Sequence, residues 1–391
     1  MERKKTASRA GNGRGLIAGK ETPIRMVESR PDARSAAGVS TERRQNVLRA
    51  VRWGRPDYIP MHFHINEACW RHYPAGALEE LMESHPFLFP DFAGAGTGRT
   101  ELDYPIPERP GRPFVDGWGC RWETALEGMV GTVTDHPLAS WAAFEGYAAP
   151  DPQVDSGKGP IDWAQIARNI ERARACEELT MGGLRHGHTF QTLVDIRGYE
   201  NLLFDMVDCH PNLPRLIEMV ERFNAAIVRR YLDLGVEWMD YPEDLGMQTG
   251  PMLSPEMFRA FIKPSYERLM KPARDTGCII HMHSDGRICG LLDDLIDGGV
   301  DVVNLQDLVN GVDWIKDKLA GRVCIDLDID RQTVTPAGTP EQIDALIREE
   351  VTRLGSKEGG LMMIYGLYPG VPLENVRALM DAMERYAGFY A

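Results

Sequence analysis

The sequence predicts an α/β protein folded as a (β/α)8 TIM barrel, and two observations support this class. The C-terminal half alternates short apolar segments of strand character with segments of helical period, in five successive units with more upstream. Such alternation is typical of a parallel sheet with crossover helices, and so many units in a row favour a closed barrel over an open sheet. No GxGxxG motif opens any unit, so the sequence gives no support to a dinucleotide-binding fold.

The predicted strands are short, and helices with recognisable beginnings separate them. They cover residues 58–65, 182–190, 236–242, 278–284, 301–306, 323–329 and 361–364. Ser254 followed by Pro255, and Thr339 followed by Pro340, are signals for the start of a helix after two of these strands. Residues 90–150 lose the helical period and are rich in Gly and Trp, so we expect a small antiparallel insertion there, near the barrel mouth.

An N-terminal extension, residues 1–41, precedes the barrel, which we assign to residues 42–391. The extension is rich in Arg, Lys, Gly and Ser and has no aromatic residue. Such a composition cannot bury a core and predicts a disordered tail. An organellar transit peptide is the alternative, although four acidic residues interrupt that pattern.

The composition narrows the classes of partner. The formal net charge of −14 argues against nucleic acid and anionic membrane surfaces as partners. Seven scattered cysteines without a CxxC motif suit free thiols in a reducing compartment, and we therefore expect a cytoplasmic protein. No apolar run is long enough to span a bilayer. A small molecule is thus the expected binding partner, and a homodimer is compatible with these features.

Six of the ten histidines form three HxH pairs, which are His62/His64, His186/His188 and His281/His283. Side chains two residues apart on a strand share one face, and the strand ends of a barrel surround one mouth. We therefore expect the pairs to converge there as metal ligands, proton-transfer groups or donors to an anionic substrate. The alternative is that some of them are satisfied core or loop residues.

Acidic and amide residues stand at the neighbouring strand ends. They are Asp240, Glu243, Asp244, Asp285, Asn304, Gln306, Asp307, Asp326 and Asp328. Histidine and carboxylate ligands together suit Zn²⁺. For Asp328 and Asp330, capping of the helix that follows is an equally good interpretation.

Four stretches of the chain resemble one known superfamily. Residues 116–138, 197–206, 243–288 and 359–384 are similar to blocks of the uroporphyrinogen decarboxylase superfamily, in the same order, and most closely to its cobalamin-linked methyltransferase and O-demethylase branch. The resemblance implies a (β/α)8 barrel with one of two chemistries. One is metal-free decarboxylation of uroporphyrinogen acetate groups. The other is methyl transfer, usually zinc-dependent, between a methyl donor, a corrinoid protein and an acceptor.

Two departures from the family pattern bear on this choice. Decarboxylases of the family carry an Arg-rich motif after the first strand, where this chain has HFHINEACWRHYP with Arg71 as its one arginine. The thiol-methylating branch has an HxCG zinc motif, and His283 aligns with its histidine. Asp285 stands where that motif has cysteine, and a His and carboxylate site is a harder Lewis acid than one with thiolates.

These considerations give a set of assigned residues. The metal ligands are His283 and Asp285, which the resemblance implies, with Glu243 or His281 as the third. The candidate catalytic residues are His281, Asp244 and Asp326. The candidate substrate-binding residues are His62, His64, His186, His188, Asn304, Gln306 and Tyr365.

The predicted function combines these residues with what the resemblance implies. It is zinc-assisted demethylation of a small O- or N-methylated substrate, with a corrinoid on a separate protein as the methyl acceptor. The alternative is decarboxylation of a small or tetrapyrrole carboxylic acid, with His or Asp as the proton donor.

The disordered-tail prediction can be tested by limited proteolysis. If residues 1–40 do not pack on the barrel, their removal should leave the melting temperature unchanged. A clear drop in melting temperature would show instead that the tail is part of the folded unit.

Overall fold

The computed structural model describes residues 33–74, 76–92, 104 and 106–389, and the architecture is of the predicted TIM-barrel type, with a parallel sheet of seven strands where the prediction has eight, and with a small antiparallel sheet. Its strands are β1 (Met61–Ile65), β2 (Phe114–Val115), β3 (Arg121–Glu123), β4 (Thr132–Asp135), β5 (Met181–Gly183), β6 (Trp238–Asp240), β7 (Ile279–Ser284), β8 (Val302–Gln306), β9 (Cys324–Asp328) and β10 (Leu361–Leu367). In the described part of the chain, seven parallel strands pair in the order β1-β10-β9-β8-β7-β6-β5, and β2, β3 and β4 form the antiparallel sheet.

Helices follow the strands and cover the sheet. They are α1 (Ala33–Val51), α2 (Cys69–His72), α3 (Ala77–Ser84), α4 (Trp163–Ala175), α5 (Phe190–Arg197), α6 (Tyr199–Val207), α7 (Leu213–Asp233), α8 (Pro255–Met257), α9 (Lys263–Asp275), α10 (Leu292–Asp297), α11 (Asp307–Asn310), α12 (Val312–Leu319), α13 (Val334–Ala337), α14 (Pro340–Leu354) and α15 (Leu373–Ala387). A π-helical turn, Phe258–Ile262, joins α8 to α9, and 3-10 turns lie at Ile106–Glu108 and Trp141–Ala143. Among the helices just given, none is long and apolar enough to cross a membrane.

Every strand that the sequence predicts is present, although several are shorter than expected. The Ser254 side chain caps α8 by accepting a hydrogen bond from Met257 N. Thr339 and Gln342 form a reciprocal capping box at the start of α14. Of the predicted tail, residues 1–32 lie outside the described residues, while residues 33–41 belong to α1.

The predicted insertion packs beside the barrel mouth. Its strands β2 to β4 are followed by a segment in which His136 Nδ1 bonds Asp195 O at 2.7 Å and Leu138 N donates to Ile196 O at 3.0 Å. Both acceptors belong to α5, which begins directly after the loop that leaves β5. The insertion therefore supports one side of the mouth, as the sequence predicts.

The inward-facing side chains of four adjacent strands form layers along the barrel. Trp238, Ile279, Val302 and Cys324 make an apolar layer at the N-terminal ends, and α1 closes it with Val51 packed against them. Because side chains alternate along a strand, the same face carries polar residues two positions later. These are Asp240, His281, Asn304 and Asp326, followed at the mouth by His283, Gln306 and Asp328. The apolar end is sealed, so the polar groups collect at the C-terminal end, where barrel enzymes act.

One buried carboxyl group lies on the helical side of the sheet. Glu350 of α14 is fully buried, and its oxygens have no hydrogen-bond partner of good geometry among the described residues. Burial, and then repulsion from the nearby Asp307, raises the pKa of Glu350 well above its usual value. A folded-state pKa raised above the unfolded value favours the protonated acid, and folding stability is then lost as pH rises through the folded value.

We predict that Glu350→Gln removes this pH dependence. The difference in unfolding free energy between the variant and the parent protein should grow in favour of the variant as pH rises above 4.5, the ordinary pKa of glutamate. Urea denaturation over a series of pH values measures this difference. Equal pH dependence in both proteins would show that Glu350 does not titrate in this way.

Candidate metal centre

The site is built around His283, whose ring is held by a neighbouring strand. His283 on β7 lies beside Asn304 on β8, and its Nδ1 is hydrogen-bonded to Asn304 Oδ1. Asn304 is itself oriented, because its Nδ2 donates to Asp326 O at 2.7 Å. The amide oxygen therefore faces the ring, His283 carries its proton on Nδ1, and the lone pair of Nε2 points into the mouth.

Two further side chains join His283 from the loops that follow β5 and β6. His283 Nε2 lies 3.6 Å from Asp244 Oδ1, and His186 Nε2 lies 3.3 Å from the same oxygen. The His186 and His283 rings are 5.5 Å apart between centroids. All three residues are buried, and their candidate ligand atoms lie within 4.8 Å of one another.

The charges of this group favour an ionised carboxylate. Burial alone would raise the pKa of Asp244, but the His186 ring, together with that of His283, outweighs it and holds the pKa well below its usual range. Asp244 Oδ2 accepts a hydrogen bond from Gln191 Nε2 at 3.1 Å, and Oδ1 accepts one from Asp285 N at 3.1 Å. Asp244 is thus fixed by its surroundings as a negative ligand between two imidazoles.

The residues present fit a zinc ion. Neither ring nitrogen of His186 has a hydrogen bond of good geometry among the described residues, although the side chain is only 5% exposed. A buried imidazole whose hydrogen bonds are poorly aligned is costly, and a metal bound at one nitrogen would relieve that cost. Two histidines and a carboxylate are ligands that Zn²⁺ takes in catalytic sites, and the bond from His283 to Asn304 is the outer-shell contact that orients such a ligand.

Asp285 reaches the site because β7 ends at Ser284. His283 Nε2 lies 3.7 Å from Asp285 Oδ1. The turn is held by close backbone contact, since a Cβ built on Gly286 would stand 2.3 Å from the carbonyl carbon of Gly246. Gly286 also has a φ of +77°, which strongly favours glycine. Because Gly246 and Gly286 have no side chain, the loop carrying Asp244 packs closely against the loop carrying Asp285.

A second group of possible ligands shares His283. It consists of His283, Asp285 and Asp328. Arg331 already bridges its two carboxylates, with Nη2 2.9 Å from Asp285 Oδ1 and 2.6 Å from Asp328 Oδ2. Asp330, in contrast, caps the helical turn that follows, and accepts hydrogen bonds from several backbone N–H groups between residues 332 and 335. The capping interpretation therefore holds for Asp330 but not for Asp328.

Glu243 has a different position from the one the sequence suggested. Its carboxylate accepts hydrogen bonds from the backbone N–H groups of Thr189, Phe190 and Gln191, and from the Tyr266 hydroxyl at 2.5 Å. It belongs to neither ligand group. Glu243 therefore caps the N-terminus of α5, and its neighbour Asp244 is the residue that faces the mouth.

His281 lies one layer below His283 and is paired with two carboxylates. Its Nδ1 is 2.8 Å from Asp240 Oδ1, and its Nε2 is 3.2 Å from Asp326 Oδ2. Burial lowers the pKa of His281, but the two aspartates more than compensate and raise it to about 9. The candidate catalytic residues His281 and Asp326 thus form a charged unit with Asp240, while Asp244 stands in the metal group.

The candidate substrate-binding residues do not lie together at one site. His188 is fully buried beside Thr189, and burial lowers the pKa of its ring to about 3. Gln306 supports the turn after β7 by accepting from Gly286 N at 2.9 Å. His62, which is exposed, and His64, which is half-buried, lie on β1, separated from β7 by three strands. Of the three histidine pairs, the structure brings only His186 and His283 together.

Tyr365 does not reach the mouth, which corrects its assignment. It is fully buried, its ring lies 5.3 Å from that of Phe63, and its hydroxyl bonds Thr335 Oγ1 at 3.0 Å. These contacts place it between the sheet and α13. The sequence reasoning placed it near the strand end but on the wrong face, and it overlooked Arg331, which follows β9 directly.

The ligand assignment predicts graded losses of metal affinity. His186→Ala or His283→Ala should abolish tight Zn²⁺ binding, and Asn304→Ala should weaken it by about 10- to 100-fold, because His283 loses its outer-shell partner. Competition with a zinc chelator measures the affinity, and His62→Ala is the matched control that should bind as the parent does. Parent-like affinity in His283→Ala would contradict the assignment.

Comparison with known proteins agrees with the fold. The family model described as uroporphyrinogen decarboxylase (URO-D) matches residues 119–386. The uroporphyrinogen decarboxylase of Thermus thermophilus is 30% identical over 180 residues, which is 44% of this chain and 48% of that protein. The enzyme of the same name from Prochlorococcus marinus is 24% identical over 173 residues, 43% of this chain and 47% of that one. The matches thus span about half the length of these relatives.

A solved structure extends the similarity of fold over nearly the whole chain. A methyltransferase from Methanosarcina mazei superposes with a TM-score of 0.60 at 18% identity, covering 89% of this chain and 99% of that one. At this level of identity the likeness concerns the fold alone. The match of the family model spans more than half of the chain, and it includes His186, Asp244 and His283. The chain is therefore a member of the uroporphyrinogen decarboxylase family.

Proposed function

We propose that this chain is a methyltransferase that demethylates a small O- or N-methylated substrate with the help of a metal ion, most suitably Zn²⁺. The observation that carries the proposal is the buried group of His186, Asp244 and His283, since decarboxylation in this superfamily is metal-free. The methyltransferase from Methanosarcina mazei shares this fold, so the fold is compatible with the same choice. When bound, zinc would act as a Lewis acid on the heteroatom that carries the methyl group.

The protein's own residues have distinct tasks in this proposal. His186, Asp244 and His283 hold the ion, and Asn304 keeps the lone pair of His283 directed at it. Below them, Asp240 and Asp326 bind both ring nitrogens of His281. That ring is therefore held as a cation inside the barrel, and its part in catalysis remains a prediction. His62, His64 and Gln306 remain candidates for contact with the substrate.

The methyl acceptor is proposed to be a corrinoid on a separate protein. In this proposal the acceptor would dock at the mouth from outside the barrel. Metal at the C-terminal end of the barrel would then face the arriving corrinoid.

The alternative is decarboxylation, which the similarity to curated decarboxylases favours. The charges at the site oppose a substrate with many carboxylates. Five aspartates line the interior and the mouth, namely Asp240, Asp244, Asp285, Asp326 and Asp328. Arg331, which could bind a carboxylate, is already engaged by two of them. A polycarboxylate would therefore meet mainly like charge.

The two functions can be separated by direct assay. Purified protein loaded with zinc should transfer methyl groups from a methoxyarene or an N-methylated amine to cob(I)alamin, which is followed by the change in the corrinoid spectrum. His186→Ala should reduce the rate by about 100-fold or more, because Lewis-acid stabilisation is worth several kcal/mol. Exposed Arg55, paired with Glu358 far from the mouth, provides a control in Arg55→Gln, which should react at the parent's rate.

The second half of the same assay uses uroporphyrinogen. We expect no coproporphyrinogen from it. Robust decarboxylation that persists after metal removal, without any methyl transfer, would overturn the proposal in favour of the alternative.

A further inference from the structure

The second group of possible ligands is occupied by the protein's own cation. Arg331 Nη2 lies within 3 Å of both Asp285 Oδ1 and Asp328 Oδ2, and these are the oxygens that would complete a site with His283. The arginine side chain is 12% exposed, and those of Asp285 and Asp328 are 18% and 4% exposed. In such a shielded place, a carboxylate pair requires a cation, and the guanidinium supplies it.

The distances from His283 do not favour either of the two ligand groups. His283 Nε2 is 3.6 Å from Asp244 Oδ1 and 3.7 Å from Asp285 Oδ1. Nδ1 of the ring is bonded to Asn304, so Nε2 is the nitrogen that would bind an ion. An ion bound to His283 can therefore take its further ligands from the Asp244 side or from the Asp285 side. The two sides differ in charge, because Arg331 neutralises the carboxylates of Asp285 and Asp328.

Arg331 is itself held in place from the far side. Its guanidinium carbon lies 5.4 Å from the centroid of the Tyr368 ring. Gly366 on β10 lies beside it, and a Cβ at that position would be in ordinary van der Waals contact with Arg331 Nη1, at 3.6 Å. The guanidinium therefore rests between an aromatic ring and the two carboxylates, and it is a fixed charge at the mouth.

We propose that Arg331 determines where the metal ion binds, by occupying the cation position between Asp285 and Asp328 and so confining the ion to His186, Asp244 and His283. The inference rests on the proposed function only for the presence of the metal. It assigns to Arg331 a positioning role that the family resemblance does not supply. An ion confined to this group keeps a small number of protein ligands and an open position for substrate.

The consequence of losing the charge follows from the same geometry. In Arg331→Met, Asp285 and Asp328 lose their cation while remaining shielded, so an ion near His283 gains carboxylate ligands or moves toward them. Its coordination number should rise. Arg331→Lys keeps a positive charge in the same place and should preserve the arrangement, although without the two-pronged geometry of arginine.

The test uses Co²⁺ as the probe, titrated into the metal-free full-length chain. Four-coordinate Co²⁺ absorbs visible light much more strongly than five- or six-coordinate Co²⁺. We expect strong absorption for the parent and for Arg331→Lys, and a severalfold weaker band for Arg331→Met. Arg331→Met combined with Asp328→Asn removes one of the freed carboxylates and should recover the parent's spectrum. Circular dichroism of each variant monitors its fold, and if Arg331→Met does not fold, Arg331→Gln is read by the same criterion.

Each outcome decides the inference. Identical spectra for the parent and Arg331→Met would overturn it, and so would a weak band that the added Asp328→Asn does not reverse. If the parent binds no Co²⁺ but Arg331→Met does, Arg331 excludes the ion instead of confining it to His186, Asp244 and His283, which overturns the inference, and the metal part of the proposed function fails as well. If neither binds Co²⁺, both are overturned.

Discussion

The hydrogen bond between His283 Nδ1 and Asn304 Oδ1 is the contact on which the proposed site depends. It links two adjacent parallel strands and directs Nε2 of His283 toward Asp244. Without it, the ring could rotate or change tautomer, and neither ligand group would have a fixed imidazole nitrogen. The bond itself depends on the register of β7 against β8 and on the anchoring of Asn304 to the backbone of β9. The register of β7 against β8 therefore determines the orientation of the His283 ring.

The balance of buried charge is the second constraint on the mouth. Carboxylates inside the barrel must each find a cation or a set of donors, because burial penalises an isolated charge. His281 pairs with Asp240 and Asp326. Arg331 pairs with Asp285 and Asp328. Backbone N–H groups donate hydrogen bonds to Glu243. Asp244 is the one of these flanked by two imidazoles, His186 and His283. This distribution of charge favours the proposed metal ion there over a substrate with many carboxylates.

Periodicity predicted the fold and half of the site. The alternation of strands and helices predicted the barrel, and the two-residue period placed His281 and His283 on one face. The rest depended on conformations that the pattern does not contain. His186 and Asp244 lie in the loops that follow their strands, where side-chain direction cannot be read from a period. Of two adjacent residues in one loop, Glu243 caps a helix and Asp244 faces the mouth. Tyr365 was misassigned because its position near a strand end was considered without the face on which its side chain lies. Two residues apart on one strand, Tyr365 and Met363 share a face, and both are buried in the core. Arg331 carried only a weak signal, a basic residue directly after an acidic strand.

The most direct test of the central claim is the position of the metal in a crystal of the zinc-loaded protein. Diffraction data collected on both sides of the zinc absorption edge give an anomalous difference map that locates zinc independently of the protein coordinates. The account predicts one peak within bonding distance of His186, Asp244 and His283, at about 2.0 to 2.2 Å from each ligand atom. A peak between Asp285 and Asp328 with Arg331 displaced, or no peak at the barrel mouth in fully loaded protein, would contradict it.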